Sequence, residues 1–352
     1  MEREPILSIR DLNVTFSLRG QTLHAIHGVS LDLMQGECLA IVGESGSGKS
    51  VLTKTCMGLL DKNGTIASGS ILFEGQELTL LRTEPQWEKI RGGKIAMVMQ
   101  DPMTCLNPLK TVGWQIAESL KYHQDLTGEA AKAEAIRMLH DVGIPDPERR
   151  YGQYPHEFSG GMRQRVAIAI AVACHPKILI CDEPTTALDV TIQAQILALI
   201  HDLQQKYDLT VIYITHDLGV VANVADRVAV MYAGDIVEIG TSREVFFDPR
   251  HPYTWALLSS LPQLGVRGEK LSSIHGTPPN LFLPLKGDAF APRNPYALKV
   301  DFEYRPPYFE VSPTHKAKTW LLDPRAPKID PPDAIRNIKS LTALGGGLLG
   351  DD

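Results

Sequence analysis

Cysteine is scarce in this sequence and poorly placed for staples or metals. The five thiols, Cys38, Cys56, Cys105, Cys174 and Cys181, lie far apart with no CxxC spacing. An odd count in that arrangement argues against a disulfide framework and for free thiols in a reducing compartment. Each is read here as a buried small side chain. Long apolar runs are also missing. Nothing approaches the roughly 18 apolar residues that a membrane helix needs, and the charged start MEREPILSIR has no apolar signal core. The expectation is a soluble chain that meets a membrane only through partners. Basic charge is not in excess either. Lys and Arg number 35 against 41 Asp and Glu, a formal net charge of −6, which gives no overall pull toward nucleic acid. No internal repeat is evident.

What is present is an ordinary globular composition, 43% hydrophobic and 22% charged, spread over 352 residues. That length suits one large α/β domain with a smaller appendage. Residues 6–42 read as short β segments, ending in the continuous apolar strand ECLAIVG. SVLTKTCMGLL has helical spacing, SGSILFEGQEL reads as a hairpin and KIAMVMQ as a buried strand. From about 101 to 158 the texture is helical, with WQIAESLKYH and GEAAKAEAIRMLHDVGI amphipathic, and Gly160–Ala173 continues as a small-residue helix. KILICDEP and LTVIYITH then alternate with a helix over TIQAQILALIHDLQQKY, and LGVVANVADRVAVMYAGDIVEIG closes with a helix and a hairpin. Such alternation implies a mainly parallel sheet covered on both faces.

Two motifs carry chemistry by themselves. GESGSGKS, Gly43 to Ser50, matches GxxxxGK[ST] between a strand and a helix. Its glycines Gly43, Gly46 and Gly48, with Ser45, let backbone N–H groups wrap a phosphate, and the helix N-terminus adds a favourable dipole. Lys49 is expected to reach the β/γ-phosphates and the Ser50 hydroxyl to ligate Mg²⁺. ILICDEP brings two carboxylates to a strand end. Asp182 is expected to hold Mg²⁺, and Glu183 to take a proton from attacking water.

GESGSGKS, MVMQDP, FSGGMRQRV, CDEPTTALD and ITHD occur in the order and spacing of an ATP-binding cassette (ABC) ATPase, and the chain resembles that family over about 240 residues. The resemblance implies a P-loop NTPase of ABC type: a mainly parallel sheet core, an antiparallel β subdomain and a helical insertion. It places the cassette at 1–240, with a helical subdomain at about 101–175, and a C-terminal extension at 241–352. It further implies a sandwich dimer in which Ser159, Gly160 and Gly161 of one subunit meet the γ-phosphate of the nucleotide held by the other. The usual pattern has Gln at Met162; the serine and both glycines are kept. Gln100 matches the residue that senses the γ-phosphate and Mg²⁺. Asp189 matches the loop that contacts the opposing site and also suits a helix cap. His216 matches the switch histidine, and Phe16 the aromatic that stacks on adenine, though it also reads as core.

VMQDPMTCLNPLKTVGWQIAE, DEPTTALDVTIQAQIL and HPYTWALLSSLP resemble the ATPase subunits of oligopeptide/dipeptide importers, a group that includes nickel importers. The cofactors implied are ATP and Mg²⁺. The implied partners are a second, non-identical ATPase, two transmembrane permease subunits and an extracellular solute-binding protein, with no nucleic acid. The implied location is the cytoplasmic face of the cell membrane. Nickel or another small solute stays open as the cargo. Beyond 240 prolines crowd in, and the tail reads as a small separate module, held by its own packing and not a continuation of the sheet; its end, LTALGGGLLGDD, is expected to fray. In many relatives this tail carries cysteines for an iron–sulfur cluster. The matching positions here are Asp288, Asn294 and Thr319, so no iron–sulfur cluster is expected.

Overall fold

A computed structural model describes residues 4–101, 105–186, 188–222, 224–261 and 274–337. The terminal LTALGGGLLGDD lies outside the described residues. The strands in chain order are β1 (Pro5–Leu18), β2 (Gln21–Met34), β3 (Cys38–Val42), β4 (Gly64–Phe73), β5 (Gln76–Glu77) and β6 (Ile95–Val98). They are followed by β7 (Ile178–Asp182), β8 (Thr210–Thr215), β9 (Arg227–Tyr232), β10 (Asp235–Thr241), β11 (Phe309–Glu310) and β12 (Lys316–Ala317). The chain packs as two compact units. One comprises Met34–Glu37 and Leu80–Ile214; the other comprises Pro5–Leu33, Cys38–Thr79 and the chain from Thr215 onward.

In the second of these, β2, β1, β4 and β5 form a four-stranded sheet in that order. The segments expected to be short are longer, strands of 14 residues in β1 and in β2. A bulge interrupts β1. Asp11 takes a left-handed φ of 44°, and the register with β4 shifts between Arg10 and Asn13. Gly69 sits opposite, where a Cβ would lie 2.6 Å from the Asp11 carbonyl oxygen. A separate set of strands in this unit starts with β3, which runs parallel to β9. β9 and β10 form a hairpin, and β12 and β11 add to it antiparallel.

The tail therefore does continue a sheet, contrary to the sequence expectation. Glu238 and Ile239 of β10 pair with Ala317 and Lys316, which covers backbone groups that an edge strand would leave open. Nor is it held by its own packing. Phe290 and Ile335 are buried in one cluster with Val42, Val230, Tyr232, Tyr253 and Leu258. The three positions matched to cluster cysteines each close a local turn instead. Asp288 Oδ1 accepts from the Phe290 N–H at 3.0 Å, Asn294 Oδ1 from Tyr296 at 2.9 Å, and Thr319 Oγ1 from Leu321 at 3.3 Å.

In the other unit β6, β7 and β8 are all parallel, with β7 in the middle and buried throughout. The helices expected between 101 and 175 are present as Val112–Gln124, Gly128–Asp141, Pro147–Arg150 and Gly160–Val172. They bury apolar faces such as Ile116 and Leu120, Ala135 and Leu139, and Val166 and Ala169. Among the described residues no helix is long and apolar enough to cross a membrane. None of the five cysteines is in a disulfide; four are buried as expected, but Cys105 is exposed.

Two stability predictions arise from the tail. Glu238 is fully buried and accepts from the Arg250 and His251 N–H groups at 2.6 and 3.0 Å and from His315 Nε2 at 2.7 Å. Glu238→Ala strands all three donors and is expected to cost about 3 kcal/mol or more, read by denaturant unfolding. Asp288 is pushed up from 3.8 to about 7, first by burial and then by the neighbouring carboxylates Asp301 and Asp235. A raised acid binds its proton more tightly in the folded chain, so its stabilisation is complete at low pH and is lost as pH rises through about 7. Asp288→Asn is expected to flatten that part of the Tm–pH profile between about pH 4 and 7.

Candidate active site

The phosphate loop leaves the buried strand β3 at Gly43. A Cβ there would lie 2.1 Å from the Met231 carbonyl oxygen of β9, so only glycine lets the loop pass. Gly46 has a φ of 80°, and nothing lies within 4 Å of where its Cβ would be. The loop is open on that side, which is what a bound phosphate requires. The Ser47 N–H donates to the Glu44 carbonyl at 3.2 Å, and Ser47's own carbonyl accepts from Gly234 N–H at 2.8 Å. The buried Ser47 hydroxyl has no hydrogen-bond partner among the described residues. Ser45 is exposed, and Ser50 is half-buried on the first turn of the helix Lys49–Cys56, which follows Gly48.

Lys49 is buried. Its ammonium donates to the carbonyls of Gly43 at 2.7 Å and Glu44 at 3.0 Å. The cation is thus folded back across the loop that it is expected to share with an anion. An open glycine, an orphaned hydroxyl, a cation and a helix N-terminus make a donor set that fits a polyphosphate. Phe16 of β1 pairs with Gly64 of β4 and is half-buried. Its ring lies against that glycine, with Cε1 2.7 Å from where a Cβ would be. Glu44 is held by residues that sequence reasoning missed. Its N–H donates to the Tyr253 hydroxyl at 2.8 Å, and its carboxylate meets Arg293.

The acidic residues belong to the unit that contains Leu80–Ile214. Asp182 ends β7 and is buried. Glu183 then adopts a left-handed φ of 46°, an uncommon conformation for a non-glycine residue. Its N–H donates to the Ile214 carbonyl at 2.9 Å, which ties the turn to β8. Glu183 Oε2 accepts from Gln100 Nε2 at 3.1 Å and from Thr186 Oγ1 at 3.0 Å. The sequence names Gln100 and Glu183 for separate tasks; the structure joins them directly. Thr186 was missed, although its place three residues after the carboxylate was its signal. Oxygen donors such as Asp182 and the Gln100 amide carbonyl suit a hard cation.

Ser159 caps the helix Gly160–Val172, its hydroxyl accepting from the Met162 N–H at 3.4 Å. Gly161 lies against Ile192, whose Cγ2 would be 2.9 Å from a Cβ. That places the glycine turn beside the helix Val190–Tyr207, which Asp189 caps through Oδ1 to the Ile192 N–H at 2.9 Å. The helix-capping role read for Asp189 is therefore present. His216 follows β8 and is exposed. Its neighbour Asp217 closes a short turn, donating its N–H to Thr215 Oγ1 at 3.0 Å.

Comparison with known proteins identifies the family and the fold. The ABC transporter family matches residues 26–186, and the oligopeptide/dipeptide transporter C-terminal region matches residues 237–300. The chain is 60% identical to the oligopeptide transport ATP-binding protein AmiE of Streptococcus pneumoniae serotype 4, over 96% of this chain and 95% of that one. It is 59% identical to the oligopeptide transport ATP-binding protein OppD of Bacillus subtilis, over 94% and 93%. A solved post-hydrolysis dimer of the ATP-binding cassette MJ0796, with ADP and Pi, superposes with a TM-score of 0.60 at 28% identity, covering 67% of this chain and 99% of that one. By these matches the chain belongs to the ABC transporter family of ATPases.

Proposed function

We propose that this chain is the ATP-hydrolysing subunit that energises import of oligopeptides by a multi-subunit ABC transporter at the cytoplasmic face of the cell membrane. The observation that carries this reading is the near-full-length identity to oligopeptide transport ATP-binding proteins, which spans both the cassette and the C-terminal region. Those names favour peptide over nickel as the cargo. The working assembly pairs the chain with a second, non-identical ATPase, two permease subunits and an extracellular solute-binding protein.

On this reading Lys49 and the N–H groups of Gly43–Ser50 bind the β- and γ-phosphates of ATP, and Phe16 stacks on the adenine. Ser50, Asp182 and Gln100 supply the oxygen donors for Mg²⁺, which neutralises phosphate charge when bound. Glu183 takes the proton of the attacking water as its oxygen bonds to the γ-phosphorus and ADP leaves. The Gln100–Glu183 bond couples that base to the strand end of β6, so a shift of Gln100 toward the γ-phosphate removes one of the donors on Glu183 Oε2, the other being Thr186 Oγ1. His216 contacts the γ-phosphate. Ser159, Gly160 and Gly161 present the N-terminus of their helix to the nucleotide held by the partner ATPase, with Asp189 at the same interface. Closure of the dimer on ATP and its reopening after hydrolysis drive the permeases through the helical region, and only a difference in ATP affinity between the two states can do so.

Glu183→Gln is expected to lower ATP turnover at this site by about a hundredfold or more while ATP still binds. In cells the same variant is expected to abolish uptake of a labelled oligopeptide and spare labelled nickel. Loss of nickel uptake alone would reassign the cargo, and full ATP turnover would remove Glu183 as the base. Lys49→Ala is expected to weaken ATP binding about tenfold or more, measured by titration with a fluorescent ATP analogue.

A further inference from the structure

The phosphate loop carries an acid, Glu44, directly after Gly43. A bare carboxylate beside a polyanion site repels the ligand. Here it is not bare. Arg293, from the tail, meets it through both forks: Nη1 to Oε2 at 2.6 Å and Nη2 to Oε1 at 3.0 Å. The remaining donors of this guanidinium are also engaged. Nη1 reaches the Tyr232 hydroxyl at 3.2 Å, Nε the His275 carbonyl at 2.9 Å, and Nη2 the Ile274 carbonyl at 3.4 Å. The Arg293 side chain is only 4% exposed, against 28% for Glu44. A bidentate pair with every donor used is a fixed geometry and not a wandering surface contact.

The same residue is gripped through its backbone. The Glu44 N–H donates to the Tyr253 hydroxyl, and Tyr253 packs on Tyr232 and Phe290 with ring centroids 4.5 and 5.3 Å away. Phe290 lies three residues before Arg293, so one segment of the tail supplies both the aromatic floor and the cation. The Glu44 carbonyl meanwhile accepts from Lys49. Side chain, N–H and carbonyl of one loop residue are thus all specified, two of them by residues beyond 240.

We propose that Arg293 is a positioning residue for the nucleotide: it neutralises Glu44 and holds the phosphate loop in its binding shape, making the C-terminal region part of the ATP site. This rests on the reading of Gly43–Ser50 as the phosphate loop. It gives the region a role in ATP affinity through a pair 249 positions apart.

The test is ATP binding by the full-length chain in the presence of Mg²⁺, measured with a fluorescent ATP analogue for Arg293→Met, Glu44→Gln, the double variant and Lys49→Ala. Arg293→Met is expected to raise the Kd about tenfold or more, because it exposes an unpaired carboxylate. Adding Glu44→Gln is expected to recover most of that loss, a rescue that a merely structural role for Arg293 would not produce. In the assembled transporter the defect should appear in KM for ATP more than in kcat. An unchanged Kd in Arg293→Met overturns the proposal, and no recovery in the double variant overturns its electrostatic basis. Lys49→Ala separates the two readings. If it loses binding while Arg293→Met does not, the loop assignment stands and the clamp fails; if Lys49→Ala binds normally, the loop assignment itself fails. Should Arg293→Met not fold, Arg293→Lys keeps the charge and loses the fork. A several-fold rise in Kd there supports the proposal, and no change overturns it.

Discussion

A loop that offers its backbone N–H groups to an anion must be held in place by everything except those groups. The residues around Gly43–Ser50 meet this constraint one by one. The Met231 carbonyl lies so close to Gly43 that no side chain fits. Gly234 N–H anchors the Ser47 carbonyl, and Lys49 gathers the carbonyls of Gly43 and Glu44. Tyr253 and Arg293 fix Glu44 from the tail. The open side of Gly46 and the unpartnered Ser47 hydroxyl are what remains for a ligand. Much of the surrounding unit follows from this need, because the strands β3 and β9, the β9–β10 hairpin and the aromatic floor of Tyr232, Tyr253 and Phe290 all supply a support.

The acidic residues face a different constraint. A carboxylate that is to accept a proton must stand at the end of a buried strand and yet be reachable. β7 runs buried to Asp182, and the left-handed turn at Glu183 re-aims the next side chain toward Gln100 and Thr186. The strained conformation is held by the Ile214 carbonyl of β8. On the proposed role of Glu183, pre-set placement of this kind would let the base act without reorganising at the moment of reaction. The Gln100 bond also gives Glu183 a resting partner, so its freedom becomes conditional on where Gln100 lies.

Much of this was legible beforehand. The apolar run ending at Gly43, the glycine spacing and the lysine announce a strand, a loop and a helix locally, within about ten residues. The cap at Asp189 was readable for the same reason, since a cap bonds only two or three residues along the chain. The bulge in β1 was not, because the turn at Asp11 depends on Gly69 in another strand. The tail misled for a related reason. Its prolines do mark short irregular turns, but β11 and β12 are only two residues each, too brief to leave a period, and their pairing with β10 is set by an edge that lies far away in sequence.

The sequence by itself determined the chemistry: which residues are cations, carboxylates and glycines, and in what local order they meet a strand or a helix. Those properties depend on covalent structure and near-neighbour geometry. Only the tertiary structure decided which of them touch. That Gln100 rests on Glu183, that Glu238 gathers His315 and two backbone N–H groups, and that Arg293 neutralises Glu44 are matters of packing between segments 83, 77 and 249 positions apart. A pair at such separation leaves no periodic trace, because each partner answers to the surroundings that the fold builds and not to its neighbours in the chain.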